Sequence, residues 1–420
     1  MIKPIMLFWA ALLSTTTLHA QKIIPVDSSK IDTLRIDPSH AIGGNASDVF
    51  EELNYIPLES TKESTFGKID QLEVTDDYFV IRDETTNCIL FFKKNGKFHA
   101  KIDGGSYQLN DGKRLQAFHL NKWTRQLVVK RNGPGGYLYY DFNAKLLSEV
   151  PIKGKELYYW NDYRFVGKDA ILDIEDYSND RPKDSTKINY LVQYGKGLME
   201  QVSAEGIPYN TVGLKTNSDI YSANTAGLLP HAGKDDTFLL VNAPDYLMYE
   251  VSPQVVKLRY RFIFPMQQSL PVNYLYGKEF ADRHIKYVQE HKKLIYAIGS
   301  YFELGDNLIF KTHTSDVANK DENLIYNLKS GTLISYERIS PDDSNYFLPL
   351  WEGLDFANNS FFTSDGKYVY SDFSSLDMFK ALEEHKDKNI KYPPHLQEYF
   401  TKGSRKDNPV IIQVKPKQVL

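Results

Sequence analysis

Residues 76–98 read DDYFVIRDETTNCILFFKKNGKF, three short apolar runs separated by polar turns. The pattern predicts strands over residues 78–83, 88–93 and 97–102. Asp76-Asp77 and residues 84–87 form the first turns, and Lys94-Asn95-Gly96 forms a tight one, with glycine free to take a positive φ. The first two runs are apolar at consecutive positions rather than alternate ones. A strand of that kind is covered on both faces. The meander is therefore expected to lie between two other sheets.

The same unit recurs. A polar turn followed by a tight apolar run appears as TRQLVV from Thr124, KDAILD from Lys168, DDTFLL from Asp235, GDNLIF from Gly305 and DGKYVY from Asp365. With the run at Asp76 these make six. A partner run follows as GYLYYDFNAK from Gly136, INYLVQYGKG from Ile188, YLMYEVSPQ from Tyr246 and NLIYNLKSGT from Asn323. After the sixth copy no local partner exists, and NPVIIQVK at residues 408–415 is the best candidate. Copies lie roughly 45 to 70 residues apart, wide for a propeller blade, so some carry insertions. Repeated meanders buried on both faces argue for radial repetition, with a C-terminal strand closing the last copy and leaving few open edges. The expected class is all-β, a six-bladed β-propeller. A β-sandwich or a pair of barrels is the alternative.

Two insertions read as helical. Residues 277–293 place Phe280, Ile285, Tyr287 and Val288 at helical spacing. Residues 374–400 read as a helix, a Pro-Pro break and a second short helix with proline in its first turn. Residues 21–49 show little periodicity and read as an extended N-terminal arm before a domain spanning 50–420.

The bulk properties narrow the class further. The chain has 420 residues, 42% hydrophobic, with 29 Tyr and 23 Phe, types that suit a pleated, half-buried surface. A formal net charge of −4 gives no footprint for nucleic acid. The opening MIKPIMLFWAALLSTTTLHAQK has Lys3, then an apolar run too short to span a bilayer. It reads as a signal peptide over 1–20, cleaved after Ala20, with no cysteine positioned for lipid attachment. A periplasmic or secreted protein that does not span a membrane is expected, as a monomer. The one cysteine, Cys88, sits inside an apolar run and reads as packing.

YIPLES at Tyr55, DDYFVIRD, ILFFKKNGKFHAKI and DNPVIIQV at Asp407 together resemble the six-bladed propeller family of exported Bacteroidetes proteins. Its members open on a similar YIPLE strand and close on a similar NPV strand. The blade unit is also similar to NHL/TolB-like repeats. The resemblance covers the chain from about Phe50 onward. It implies a propeller, an exported location and a binding role, with no catalytic residues to carry over. The glycine-rich segment common after the first blade is here IDGGSYQLNDGKRL, which departs from the family pattern.

Candidate chemistry is thin. Asp173 and Glu175 in ILDIEDYSND point the same way on a strand and could hold a cation or act as an acid–base pair. YYWNDYRF supplies Trp160, Tyr163 and Arg164. LPLWEGLDF supplies Trp351 and Glu352. An indole with a neighbouring charge suits a sugar face or a peptide side chain. His284 and His291 are seven residues apart, too far along a helix to share a metal. NGPGG at residues 132–136 has no helix after it, and TSDGKYVY lacks the spacing of a sialidase Asp-box. No metal or cofactor is expected. The reading is a non-catalytic propeller that binds a glycan, a peptide or an envelope protein. The alternative is a glycan-active hydrolase or lyase with carboxylates at the channel mouth.

Overall fold

The structure is a computed structural model. It describes residues 22–23, 26–106, 114–131, 136–150, 163–174, 189–190, 192–196, 200–205, 208–209, 229–234, 236–242, 246–274, 277–280, 283–316, 321–351, 361 and 363–420. The proposed leader at 1–20 lies outside them.

The chain is all-β with a few short helices, and its sheets take a propeller arrangement. The first blade runs Gln71–Val74, Tyr78–Asp83, Cys88–Lys93 and Phe98–Asp103. The second runs Leu115–Asn121, Gln126–Arg131, Tyr137–Asp141 and Leu146–Val150. The third runs His231–Lys234, Thr237–Asn242, Leu247–Val251 and Val256–Ile263. The fourth runs Ala297–Leu304, Asn307–His313, Asn323–Asn327 and Leu333–Ser340. The closing blade orders Thr363–Ser364, Val369–Phe373, Val410–Pro416 and Phe50–Pro57.

The expectation of six like blades is corrected. Five sheets have the regular form. The sheet between the second and third blades is irregular, with strands Arg164–Phe165, Ala170–Ile174, Val192–Lys196 and Glu200–Glu205. Between its second and third strands, Asn189–Tyr190 leaves to pair with Pro208–Tyr209 as a separate ribbon. The sequence differs here too: EDYSNDRPKDSTK at residues 175–187 lacks the dense apolar run found elsewhere between paired strands.

Dense apolar runs become legible as two interleaved faces. In the first blade Phe79, Ile81, Cys88, Leu90 and Phe92 face the closing blade, packing with Tyr370 and Ile411. Val80, Ile89 and Phe91 face the second blade, packing with Phe118, Leu127 and Val129. All eight first-blade side chains are at most 1% exposed. Burying each such group contributes roughly 1.5–3 kcal/mol. Further clusters join the second blade to the irregular sheet through Tyr137 and Ile171, and that sheet to the third blade through Leu172 and Leu240. Phe262 and Phe310 join the third and fourth blades; Ile309 and Val414 share the cluster that joins the fourth to the closing blade. The packing thus returns to its start. Gly96 fits the tight turn at φ +80°, where a Cβ would lie 2.0 Å from the Pro57 carbonyl oxygen.

Residues before the first blade form a belt. Lys22–Ile23 pairs in parallel with the irregular sheet, and Val26–Asp27 and Asp32–Arg35 with the last strand of the third blade. Ile42–Asn45 pairs with the last strand of the fourth blade. The chain then enters the closing blade. These additions cover outer edges that would otherwise present unpaired backbone groups.

Helix Ser375–Glu384 starts at Ser374, whose Oγ accepts from Asp377 N, and helix Pro394–Lys402 begins after the Pro-Pro break. Met378, Ala381 and Leu396 join the core of the closing blade. In residues 277–293 a 3-10 turn, Lys278–Phe280, precedes helix His284–Glu290. His284 Nε2 donates to the Tyr274 carbonyl, whereas His291 stacks on Tyr287.

Glu337, in the last strand of the fourth blade, is pushed up to about 7 by burial, although Asn323 and Ser335 donate to it. In the unfolded chain it ionises near 4.5. Between these values the unfolded state is the one that loses its proton, so raising the pH favours unfolding. The contribution is complete below pH 4.5 and is lost as the pH rises through about 7. Urea midpoints should fall over that window by an amount worth about 2 to 3 kcal/mol. Glu337→Gln should flatten that part of the profile, and an unchanged slope would refute the assignment.

Candidate functional site

The turns joining first to second strands bring polar residues from separate sheets to one mouth. The first blade supplies Thr75 and Asp76, the second Lys122, Trp123 and Arg125, and the closing blade Asp365, Gly366 and Lys367. Gly233 and Lys234 enter from the third blade, and Tyr163 to Phe165 from the irregular sheet. Lys94 and Phe142 come from the turns before fourth strands. Together they enclose a cavity of about 540 Å³.

Local chemistry fixes these turns. Asn121 Oδ1 accepts from Thr124 N at 3.1 Å, and its amide donates to the Lys168 carbonyl at 2.9 Å. The second blade's turn is thereby held to the neighbouring sheet. Asp365 accepts from Lys367 N and Tyr368 N, and Ser364 Oγ accepts from Gly366 N. Gly366 sits at φ +83°, which a side chain would resist.

The floor is tied shut. Arg164 donates to Glu73 at 2.7 Å and to the Leu229 carbonyl at 3.0 Å, linking three sheets. His231 beside it is pushed down to about 4, mainly by burial and then by the Arg164 charge, so it is neutral at ordinary pH. Tyr163 is fully buried under His119, with ring centroids 3.8 Å apart.

The rim differs in character. Trp123 is 39% exposed, with the Lys122 ammonium 5.0 Å from its ring centre. Lys94 is half-buried, its Nζ 4.6 Å from the Phe79 ring centre and 5.3 Å from that of Tyr370. Burial lowers the Lys94 ammonium from its ordinary value, and the nearby Asp365 and Asp76 only partly offset this. Among the lining carboxylates, Glu73 is held by Arg164 and Asp365 also accepts from Tyr370 Oη. No group of three or more His, Cys, Asp or Glu side chains suited to a metal ion occurs among the described residues.

Of the residues singled out in the sequence, Tyr163 and Arg164 reach this mouth, both in its floor. Trp351 lies elsewhere, partly buried against the core shared by the fourth and closing blades. Asp173 pairs by backbone with Gln193, and its side chain lies outside the described residues, as do Trp160, Glu175 and Glu352. Trp123 was not among the candidates. Its signal was the turn sequence NKWTRQ, which sets an indole between basic residues where the chain must be solvent-facing.

A second cleft of about 590 Å³ lies beside the closing blade, between residues 54–60, the first-blade turn at residues 94–97 and helix Pro394–Lys402. It is built around two neighbouring blades, and there His395 Nε2 donates to the Tyr55 carbonyl. The mouth, by contrast, draws on five sheets.

The model of a family described as a domain of unknown function, DUF4934, matches residues 33–415. The protein belongs to that family. The match takes in every blade of this DUF4934 chain, together with most of the belt. Among solved structures it is similar to a protein of Bacteroides fragilis assigned as exported, at 13% identity and a TM-score of 0.66. That alignment covers 92% of this chain and 100% of the other. A member of the DUF4221 family from Bacteroides vulgatus aligns at 10% identity over 88% of this chain and 97% of its own, with a TM-score of 0.44. No curated protein matches the chain. At 13% identity the likeness to the Bacteroides fragilis protein is one of fold. No helix among the described residues is long and apolar enough to cross a membrane.

Proposed function

We propose that this DUF4934 protein is an exported, non-catalytic β-propeller that binds a ligand at the mouth around Trp123. The observation that carries the reading is the half-exposed indole at the rim of a cavity shared by five sheets. Loops that converge from a rigid scaffold are where propellers place ligands. Glu73 is tied to Arg164, and Asp365 to its own turn and Tyr370, so two of the three lining carboxylates already serve the scaffold, which favours binding over glycan cleavage. Export rests on residues 1–20, with their basic start and short apolar run, and accords with the exported assignment of the Bacteroides fragilis protein.

An array of glycans and peptides, probed with the mature chain and with Trp123→Ala, tests this. Ligands bound by the wild type should lose about tenfold in affinity in the variant, in the range expected when an aromatic platform of about 1.5 kcal/mol is removed. Binding that survives the substitution unchanged would move the site away from the mouth. Product formation from any bound glycan would sink the non-enzymatic reading.

A further inference from the structure

Charge at the mouth runs against charge on the chain. The protein carries a formal net charge of −4. The mouth nevertheless has Lys94, Lys122, Arg125, Arg164, Lys234 and Lys367 against Glu73, Asp76 and Asp365. Arg164 pairs with Glu73, and Arg125 with Asp77, each within 2.9 Å. Asp365 spends its acceptors on its own turn and on Tyr370. Asp76 and Asp365 keep their charge beside Lys94, yet the six lining cations outnumber the three lining carboxylates around an exposed indole, inside a concave wall that concentrates the field.

Lys94 is the most telling member. Its ammonium sits among the rings of Phe79 and Tyr370, partly withdrawn from water. A lysine held there is only partly hydrated, and an arriving anion adds its charge to that of the nearby Asp365 and Asp76. Lys234 and Lys367 approach from the third and closing blades, so the charges are spread around the opening rather than bunched on one turn. Point charges on flexible stems tolerate several anion geometries. The indole of Trp123 offers a flat apolar face beside them, of the kind that stacks on a sugar ring. The cavity of about 540 Å³ suits a small ligand rather than a folded domain.

We infer that the mouth takes an acidic saccharide, one bearing carboxylate or sulfate groups, with a sugar ring on Trp123 and its charges at Lys94, Lys234 and Lys367. This rests on the ligand-binding reading of the mouth given above.

Calorimetric titration of the mature chain decides the matter with four probes of similar length. These are an oligogalacturonate, a heparin-derived hexasaccharide, neutral maltohexaose and a hexaglutamate peptide. At least one acidic saccharide should bind, and raising salt from about 0.05 M to about 0.5 M should weaken it by about tenfold or more. Lys94→Gln and Lys234→Gln should each weaken it about five- to tenfold, while Lys329→Gln on the fourth blade leaves it unchanged. Which acidic probe binds distinguishes carboxylate from sulfate recognition. Maltohexaose binding as tightly as the acidic probes, and losing affinity in Trp123→Ala, would overturn the acidic preference while the mouth stands as the site. Hexaglutamate binding equally well would overturn the saccharide assignment. Acidic saccharide binding untouched by every mouth substitution, or no binding by either acidic probe, would overturn the inference outright.

Discussion

A chain ending at Lys406 is expected not to fold. The missing strand, Val410–Pro416, lies inside the closing blade and pairs on both sides, with Val369–Phe373 and with Phe50–Pro57. Val410, Ile411, Ile412 and Val414 are all completely buried. Ile411 packs toward the first blade, and the other three toward the fourth. One strand therefore serves both interfaces that close the ring. Its removal strips core from each and leaves two apolar strands with open edges, a template for association. The truncated chain should run as aggregate on size exclusion and show no cooperative melt by circular dichroism. A monomeric, cooperatively melting truncation would show that ring closure contributes little to stability.

Asn408→Ala should cost about 3 to 5 kcal/mol, a large effect for one polar side chain, because it strands several buried groups at once. Asn408 is 1% exposed. Its Oδ1 accepts from Phe66 N at 3.1 Å, and its Nδ2 donates to the Glu59 and Ser64 carbonyls at 2.9 Å each. Its backbone N–H donates to Ser60 Oγ, and its carbonyl accepts from Ser375 Oγ. The side chain is the knot between the end of the chain and the segment leading into the first blade. Asn408→Asp should fare poorly too, since a carboxylate cannot donate to two carbonyls. Urea unfolding at constant m-value measures both. A loss below about 1 kcal/mol in the alanine variant would mean that water satisfies those groups.

The two variants show what the family signature is for. Asn408 and the NPV strand close the ring, and Tyr55 of YIPLE donates to the Pro349 carbonyl and accepts from Asn345 in the core. Their chemistry is architectural, which is why fold was far more legible than site. The apolar runs at Asp76, Thr124, Asp235, Gly305 and Asp365 all fall in second strands of blades, because each must satisfy two faces at once. The belt was not legible as strands. Its strands are only two to four residues long, and in Asp32–Arg35 the alternation amounts to Leu34 and then Ile36, too short a run to stand out as a period. The mouth was obscured for a different reason. Trp123, Lys94 and Lys234 belong to three separate turns, and nothing in their order says that those turns share an end of the molecule. The cluster contiguous in sequence, Trp160 to Arg164, contributes Tyr163 and Arg164 to the floor instead.

The belt also constrains the order in which this molecule can be made. Ala41 accepts from Arg338 across 297 residues, Tyr55 reaches Pro349 across 294, and Asn408 reaches back to Glu59 across 349. A chain emerging N-terminus first presents its belt with nothing to encircle, and strand Phe50–Pro57 waits for Val410–Pro416 to be made. Contacts this distant in sequence make folding slow and leave unpaired strands exposed meanwhile. Synthesis and assembly are thereby separated in time: each blade is covered only by its neighbours, so the enclosure of all of them is a single late event.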